Sequence, residues 1–188
     1  MQMFVGIVVT ICWLIFCVYW FLNSSKQKQT EQKPDLKTLF SYRIFWVLGF
    51  ILLLGPIHLS FDFDVLPNSL IIGILGDLVA IIGLIICIKA RKTLSDNWSM
   101  GLDFKKEHKL ITTGVYRYMR HPIYTGFLMM FIGSVLTIGK IGGFLGIILL
   151  LIGIIIRIGN EEKLLTKNFP KEYPEYKKKV KALIPFIF

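Results

Sequence analysis

Long apolar runs alternate along this chain with segments rich in lysine, arginine and aspartate. A hydrocarbon layer about 30 Å thick takes roughly 20 residues of helix at 1.5 Å each. Five runs approach that length, over about 2–22, 44–61, 70–88, 122–139 and 141–158. The first has no charge, no basic start and no small-residue cleavage site, which predicts a retained helix rather than a removed signal peptide. The second carries Pro56 and His58 near its far end, where a kink is cheap. Asp77 alone interrupts the third, and little more than Lys140 separates the fourth from the fifth, so those two form an antiparallel hairpin. Gly126, Gly133, Gly139, Gly142, Gly143 and Gly146 recur at intervals that let backbones approach, and predict tight packing of that hairpin. The pattern is that of an all-α, polytopic membrane bundle with five transmembrane helices, a single domain over 1–188.

Composition agrees: 54% hydrophobic and 18% charged residues do not suit a soluble fold. Charge sets the orientation, because lysine and arginine collect on the cytoplasmic side. Of the 22 basic residues, 21 fall on one side of the predicted spans and only Lys140 on the other, where Asp62 and Asp64 also lie. The N-terminus is therefore expected outside, and the C-terminus in the cytoplasm with the polar segments 89–121 and 159–188. Positive-inside bias and attraction to anionic lipid account for the net charge of +10, and no nucleic-acid partner is expected. Cys12, Cys17 and Cys87 all sit in apolar runs without paired spacing, so neither a disulfide nor a metal site is expected.

Smaller features follow from local rules. Asp35 is a candidate N-cap leading into the second span. Asp77 lies on the order of 10 Å in from the outer edge, far from the cytoplasmic segments, and reads as a structural carboxyl. Trp98 reads as an interfacial anchor. The tail from Phe169 to Phe188 mixes aromatic and basic residues around three prolines, and reads as an amphipathic helix on the bilayer surface or as a lid.

Chemistry concentrates between His108 and Tyr124. His121 precedes a proline and is biased to extended backbone, while Pro122 suits the first turn of a helix, so the fourth span starts there. The N-terminal amides and dipole of that helix favour an anionic group, with Arg120 and His121 beside them. Tyr116 and Tyr124 offer aromatic faces to a cation. Adjacent anion and cation sites suit a zwitterionic ligand. Further on, Arg157 and Glu161 share a helix face four residues apart, with Glu162 next to them.

Four stretches together resemble one known family. They are Glu107-His108-Lys109-Leu110-Ile111 with Gly114-Val115-Tyr116, then Arg120-His121-Pro122-Ile123-Tyr124, then Arg157 with Glu161-Glu162, and the tail Glu172-Tyr173 to Tyr176 with Leu183-Ile184-Pro185-Phe186. In this order they look like the membrane-embedded isoprenylcysteine carboxyl methyltransferases, over roughly residues 70–188. The resemblance implies S-adenosylmethionine, held without a Rossmann sheet in a cytoplasmic pocket. It places cofactor contacts on His108, Lys109, Leu110, Ile111, Tyr116, His121, Pro122, Ile123, Tyr124 and Glu161, and substrate orientation on Arg157. One departure is Gly101, where some members carry a glutamine near the cofactor.

The implied partner is a lipophilic methyl acceptor entering from the bilayer, with its carboxylate the favoured target. A phospholipid or small-amine N-methyltransferase is the nearest alternative. A sterol-reductase-like enzyme using NADPH is another, against which the Glu161-Glu162 pair counts, and a catalytically inactive membrane scaffold is a third. The short, Ile- and Lys-rich chain suggests a prokaryotic cell membrane.

Overall fold

A helix satisfies its backbone polar groups within its own segment, which is why apolar runs of this length fold as helices. The computed structural model describes residues 2–24, 30–32, 35–54, 63–98, 104–105 and 109–185. Its long elements are α1 (Gln2–Leu22), α2 (Leu36–Leu54), α3 (Leu70–Leu94), α4 (Pro122–Ile138) and α5 (Ile141–Asn168), followed by the short α6 (Glu172–Lys179). By length and composition three helices can cross a membrane, over Leu36–Leu54, Leu70–Asn97 and Ile141–Asn168. Gly6–Leu22 and Pro122–Ile138 are shorter apolar helices.

The chain is all-α as expected, apart from one short ribbon between its polar linkers. β1 (Thr30–Gln32) and β2 (Phe104–Lys105) pair antiparallel, joining two polar linkers that are distant in sequence. Strands this short leave no trace in a hydropathy pattern, because their order comes from the partner strand.

Helix ends also differ from the apolar runs, since hydropathy marks the hydrocarbon and not the helix. α2 starts at Leu36 rather than near 44, because the Asp35 carboxylate caps it by accepting a hydrogen bond from Thr38 N at 3.0 Å. It ends at Leu54, and the expected kink at Pro56 and His58 falls outside the described residues. α3 continues past 88 to Leu94 and stops where Ser95 adopts φ 48°. α5 runs on to Asn168, carrying Arg157, Glu161 and Glu162 on one continuous helix. Between α4 and α5, Gly139 ends the first helix in a left-handed conformation at φ 74°.

The glycines pack other helices than the hairpin they were expected to join. Gly126 and Gly133 of α4 lie against Gly83 and Gly76 of α3, so close that a β-carbon on Gly126 would sit 2.4 Å from the Gly83 carbonyl oxygen. Gly146 of α5 faces Gly49 of α2 in the same way, while Gly143 meets Val135 of α4. The tight seams are α3 with α4 and α2 with α5. Between them sits an apolar core in which Phe127, Phe131, Leu150 and Ile154 are buried.

Two further expectations change. Trp98 is not an exposed interfacial anchor: it is buried, edge-on to Trp20 at 6.1 Å and under the Arg91 guanidinium at 4.4 Å. Arg91 in turn donates to the carbonyls of Ser95 and Asn23, which ties the end of α3 to the end of α1. Nor is the tail one continuous helix from Phe169 onward. Its helix is confined to α6, and the following residues fold back beside the start of α4, with Ala182 and Leu183 buried. Asp77 is buried in α3, and its Oδ1 has no hydrogen-bond partner among the described residues.

Candidate functional site

Pro122 opens α4 as the sequence predicts, with His121 as the preceding residue in a non-helical conformation. The tail holds that start in place. Arg120 N donates to the Lys181 carbonyl at 2.8 Å and His121 N to the Ala182 carbonyl at 2.9 Å. Thr125 Oγ1 donates to the Leu183 carbonyl at 2.8 Å, while Tyr124 N and Thr125 N donate to the His121 carbonyl. Much of the backbone that an anion would use at this terminus is thus already bonded.

Two neighbouring carboxylates on α5 face different partners because consecutive helical residues point about 100° apart. Glu162 is buried at the centre of a cluster of cations. Its Oε1 accepts from Arg120 at 3.0 Å and 2.6 Å and stands 3.3 Å from His121 Nε2, while its Oε2 accepts from Lys177 at 2.5 Å. Arg120 also donates to the carbonyls of Val180 and Lys177. One carboxylate therefore binds α4, α5 and α6 together, with the charge compensation that a buried ion needs.

Glu161 points instead toward Tyr124 and is about a third exposed, at 34%. Tyr124 is buried, and its hydroxyl donates to Glu161 Oε2 at 2.7 Å while accepting from Arg157 Nε at 2.5 Å. Arg157 and Glu161 are in this way joined through a phenol from another helix. The Tyr124 ring has the Arg157 guanidinium 5.5 Å from its centroid and the His121 ring stacked at 5.7 Å.

Arg157 is buried although it is a cation directly after the apolar stretch 141–156 of α5. Tyr42 and Trp46 of α2 complete its aromatic surroundings, with ring centroids 4.9 Å and 5.3 Å from the guanidinium carbon. A guanidinium is weakly hydrated and lies well on aromatic faces, which makes such burial tolerable.

The remaining candidates fall nearby or outside view. Tyr116 is buried in a 3-10 turn over Gly114–Arg117, and its carbonyl accepts the Tyr176 hydroxyl at 2.5 Å. Burial raises the Tyr116 phenol well above its ordinary pKa. Leu110 and Ile111 are half-buried; Lys109 is exposed, with its backbone amide donating to Asn97 Oδ1 at 3.3 Å. The Ile123 carbonyl accepts from Cys87 Sγ at 3.4 Å, and Pro122 is buried. His108 and Gly101 lie outside the described residues. Glu162, Lys177, Tyr42 and Trp46 were not among the predicted site residues. The last two form an aromatic pair four apart on α2, and such a stripe is ordinarily core.

Comparison with known proteins gives consistent likenesses. The phospholipid methyltransferase family model matches residues 71–172. Over 128 residues the chain is 34% identical to a probable protein-S-isoprenylcysteine O-methyltransferase of Oryza sativa subsp. indica, covering 66% of this chain and 67% of that one. Over 117 residues it is 39% identical to the protein-S-isoprenylcysteine O-methyltransferase of Saccharomyces cerevisiae, covering 61% of this chain and 49% of that one. The solved structure of a eukaryotic intramembrane Ras methyltransferase, isoprenylcysteine carboxyl methyltransferase without a monobody, superposes with a TM-score of 0.52 at 25% identity. That match covers 84% of this chain and 55% of the other. The chain thus spans between about half and two thirds of the length of these proteins.

Proposed function

The chain belongs to the isoprenylcysteine O-methyltransferase family of membrane methyltransferases, and from that premise we propose that it moves a methyl group from S-adenosylmethionine to the carboxylate of a lipophilic acceptor. The observation that carries this reading is the buried Arg157, fixed through the Tyr124 hydroxyl to Glu161 beside the start of α4.

The donor set suits the cofactor. Glu161, one third exposed, is an acceptor for hydroxyl or ammonium groups, and half-buried Leu110 and Ile111 give an apolar wall for a purine. With them, His108, Lys109, Tyr116, His121, Pro122, Ile123 and Tyr124 are the residues that would hold it. Once bound, the cofactor supplies an electrophilic methyl carbon on a sulfonium. A carboxylate acceptor held here would carry no proton to be removed, and its products would be a methyl ester and a neutral thioether. A dedicated base is unnecessary, and what the chain must supply is position and exclusion of water. Arg157 orients the anion, while the rings of Tyr42, Trp46 and Tyr124 keep the surroundings apolar. A protonated amine brought here would meet the Arg157 cation, which favours the carboxylate over the amine.

The accompanying membrane arrangement has all of α1 to α5 crossing as one domain, with the N-terminus outside. The cofactor pocket would open to the cytoplasm, and the acceptor's lipid part would enter between helices. The apolar character of all five helices and the one-sided distribution of 21 of 22 basic residues support it. Incubating the purified protein with labelled donor and native membranes should put label on a base-labile ester of a lipophilic acceptor. Arg157→Ala should lower that incorporation by about a hundredfold or more, as expected on losing a buried charged contact to the reacting group, while donor affinity stays within about twofold. Label recovered in amine headgroups instead, or an Arg157→Ala enzyme of normal turnover, would defeat the proposal.

A further inference from the structure

Tyr42 and Trp46 stand one turn apart on α2 and both approach Arg157. Tyr42 is fully buried, and among the described residues neither its hydroxyl nor the Trp46 indole Nε1 has a hydrogen-bond partner. The indole edge that bears Nε1 rests on Gly153, one helical turn before Arg157; a β-carbon at that glycine would lie 2.7 Å from Nε1. Glycine at 153 is therefore what lets the indole sit so deep. Tyr124, by contrast, has its hydroxyl bonded on both sides. Around one guanidinium, then, stand one committed phenol and two buried polar groups with nothing to bond.

Buried donors without partners are uncommon in folded proteins and costly wherever they occur. Two of them beside a cation call for an acceptor that is negative and has several lone pairs. A carboxylate meets both needs, with about four lone pairs on two oxygens. We infer that the Tyr42 hydroxyl and the Trp46 indole N–H are two further arms of the acceptor's carboxylate site, donating to the anion that Arg157 orients. This rests on the reading of Arg157 given above. Both residues precede the stretch matched by the family model, 71–172, so these two arms are contributed by a part of the chain outside the matched region. The selectivity follows from the chemistry: the indole and the guanidinium can only donate, so a carboxylate satisfies the site while a carboxamide nitrogen or an ammonium opposes it.

The test uses the full chain in detergent, with N-acetyl-S-farnesylcysteine as the carboxylate probe and its carboxamide as a competitor. Tyr42→Phe and Trp46→Phe should each raise the probe's KM about tenfold, the usual worth of one hydrogen bond to a charged group. Donor affinity and kcat at saturating probe should stay within about twofold. The unfolding temperature of Tyr42→Phe without probe should be unchanged or higher, since the deleted hydroxyl has no bond to lose. Unchanged KM in both variants, or a Tyr42→Phe enzyme whose unfolding temperature drops in step with its loss of affinity, would overturn the inference. If Arg157→Ala still separates carboxylate from carboxamide as the wild type does, the reading of Arg157 falls and this inference with it. If only Arg157 discriminates, this inference falls alone.

Discussion

Glu161 and Glu162 are adjacent, identical in chemistry and opposite in circumstance. Glu162 is buried among Arg120, His121 and Lys177, so Glu162→Gln would leave two cations facing a neutral amide. Removing one partner of a buried ion pair costs about 3 to 5 kcal/mol, and a loss at the lower end, about 3 kcal/mol, is expected in thermal unfolding because Lys177 is partly exposed. Glu161→Gln should leave stability within about 1 kcal/mol, because the amide oxygen still accepts from the Tyr124 hydroxyl at a site that is one third exposed, yet should weaken donor binding about tenfold in calorimetry. The reverse pattern, a stability loss at 161 and a binding loss at 162, would exchange the two assignments. The motif made the pair visible in the sequence, but which glutamate does which depends on the rotation of α5 against α4.

At the scale of the helices, small residues govern how closely two backbones approach. A β-carbon on Gly126 would lie 2.4 Å from the Gly83 carbonyl and 2.7 Å from Cys87 Sγ, and the first of these is backbone that cannot swing away. Gly126→Ala should therefore cost about 1 to 3 kcal/mol as overpacking. Gly159→Ala meets open space in the same fold and should gain up to about 1 kcal/mol from helix propensity. Thermal denaturation of the two variants side by side distinguishes a seam from a free face, and equal effects would refute the seam. The intervals between glycines told which residues share a face. They could not tell which helix that face meets, and the expected hairpin packing gave way to seams with α3 and α2 because the neighbours that approach lie far away in sequence.

For the molecule as a whole, the tail is part of the body and not an appendage. Tyr173 is buried, Tyr176 is half-buried with its hydroxyl on the Tyr116 carbonyl, and Tyr116 is itself buried. Burial raises all three phenols above their ordinary value of 10.0. The native state thus keeps protons that the unfolded chain sheds above about pH 10. Below that pH the three groups leave stability unchanged; above it each withdraws up to about 1.4 kcal/mol per pH unit, through the folded pKa. Alkaline titration should show tyrosinate absorbance from these residues appearing together with loss of helix. Full titration near pH 10 with the helices intact would mean that the tail does not pack as described.

Local chemistry by itself determined the apolar helices, the start of α4 at Pro122 and the cap at Asp35. Each of these follows from neighbours within a turn or two of chain. The pairing of β1 with β2, the aromatic surroundings of Arg157 and the division of labour between the two glutamates were decided only when distant segments met. The physical reason is common to all three: a side chain's partner across a helix seam is set by how near the backbones come, and hydropathy along one strand of sequence carries no record of that distance.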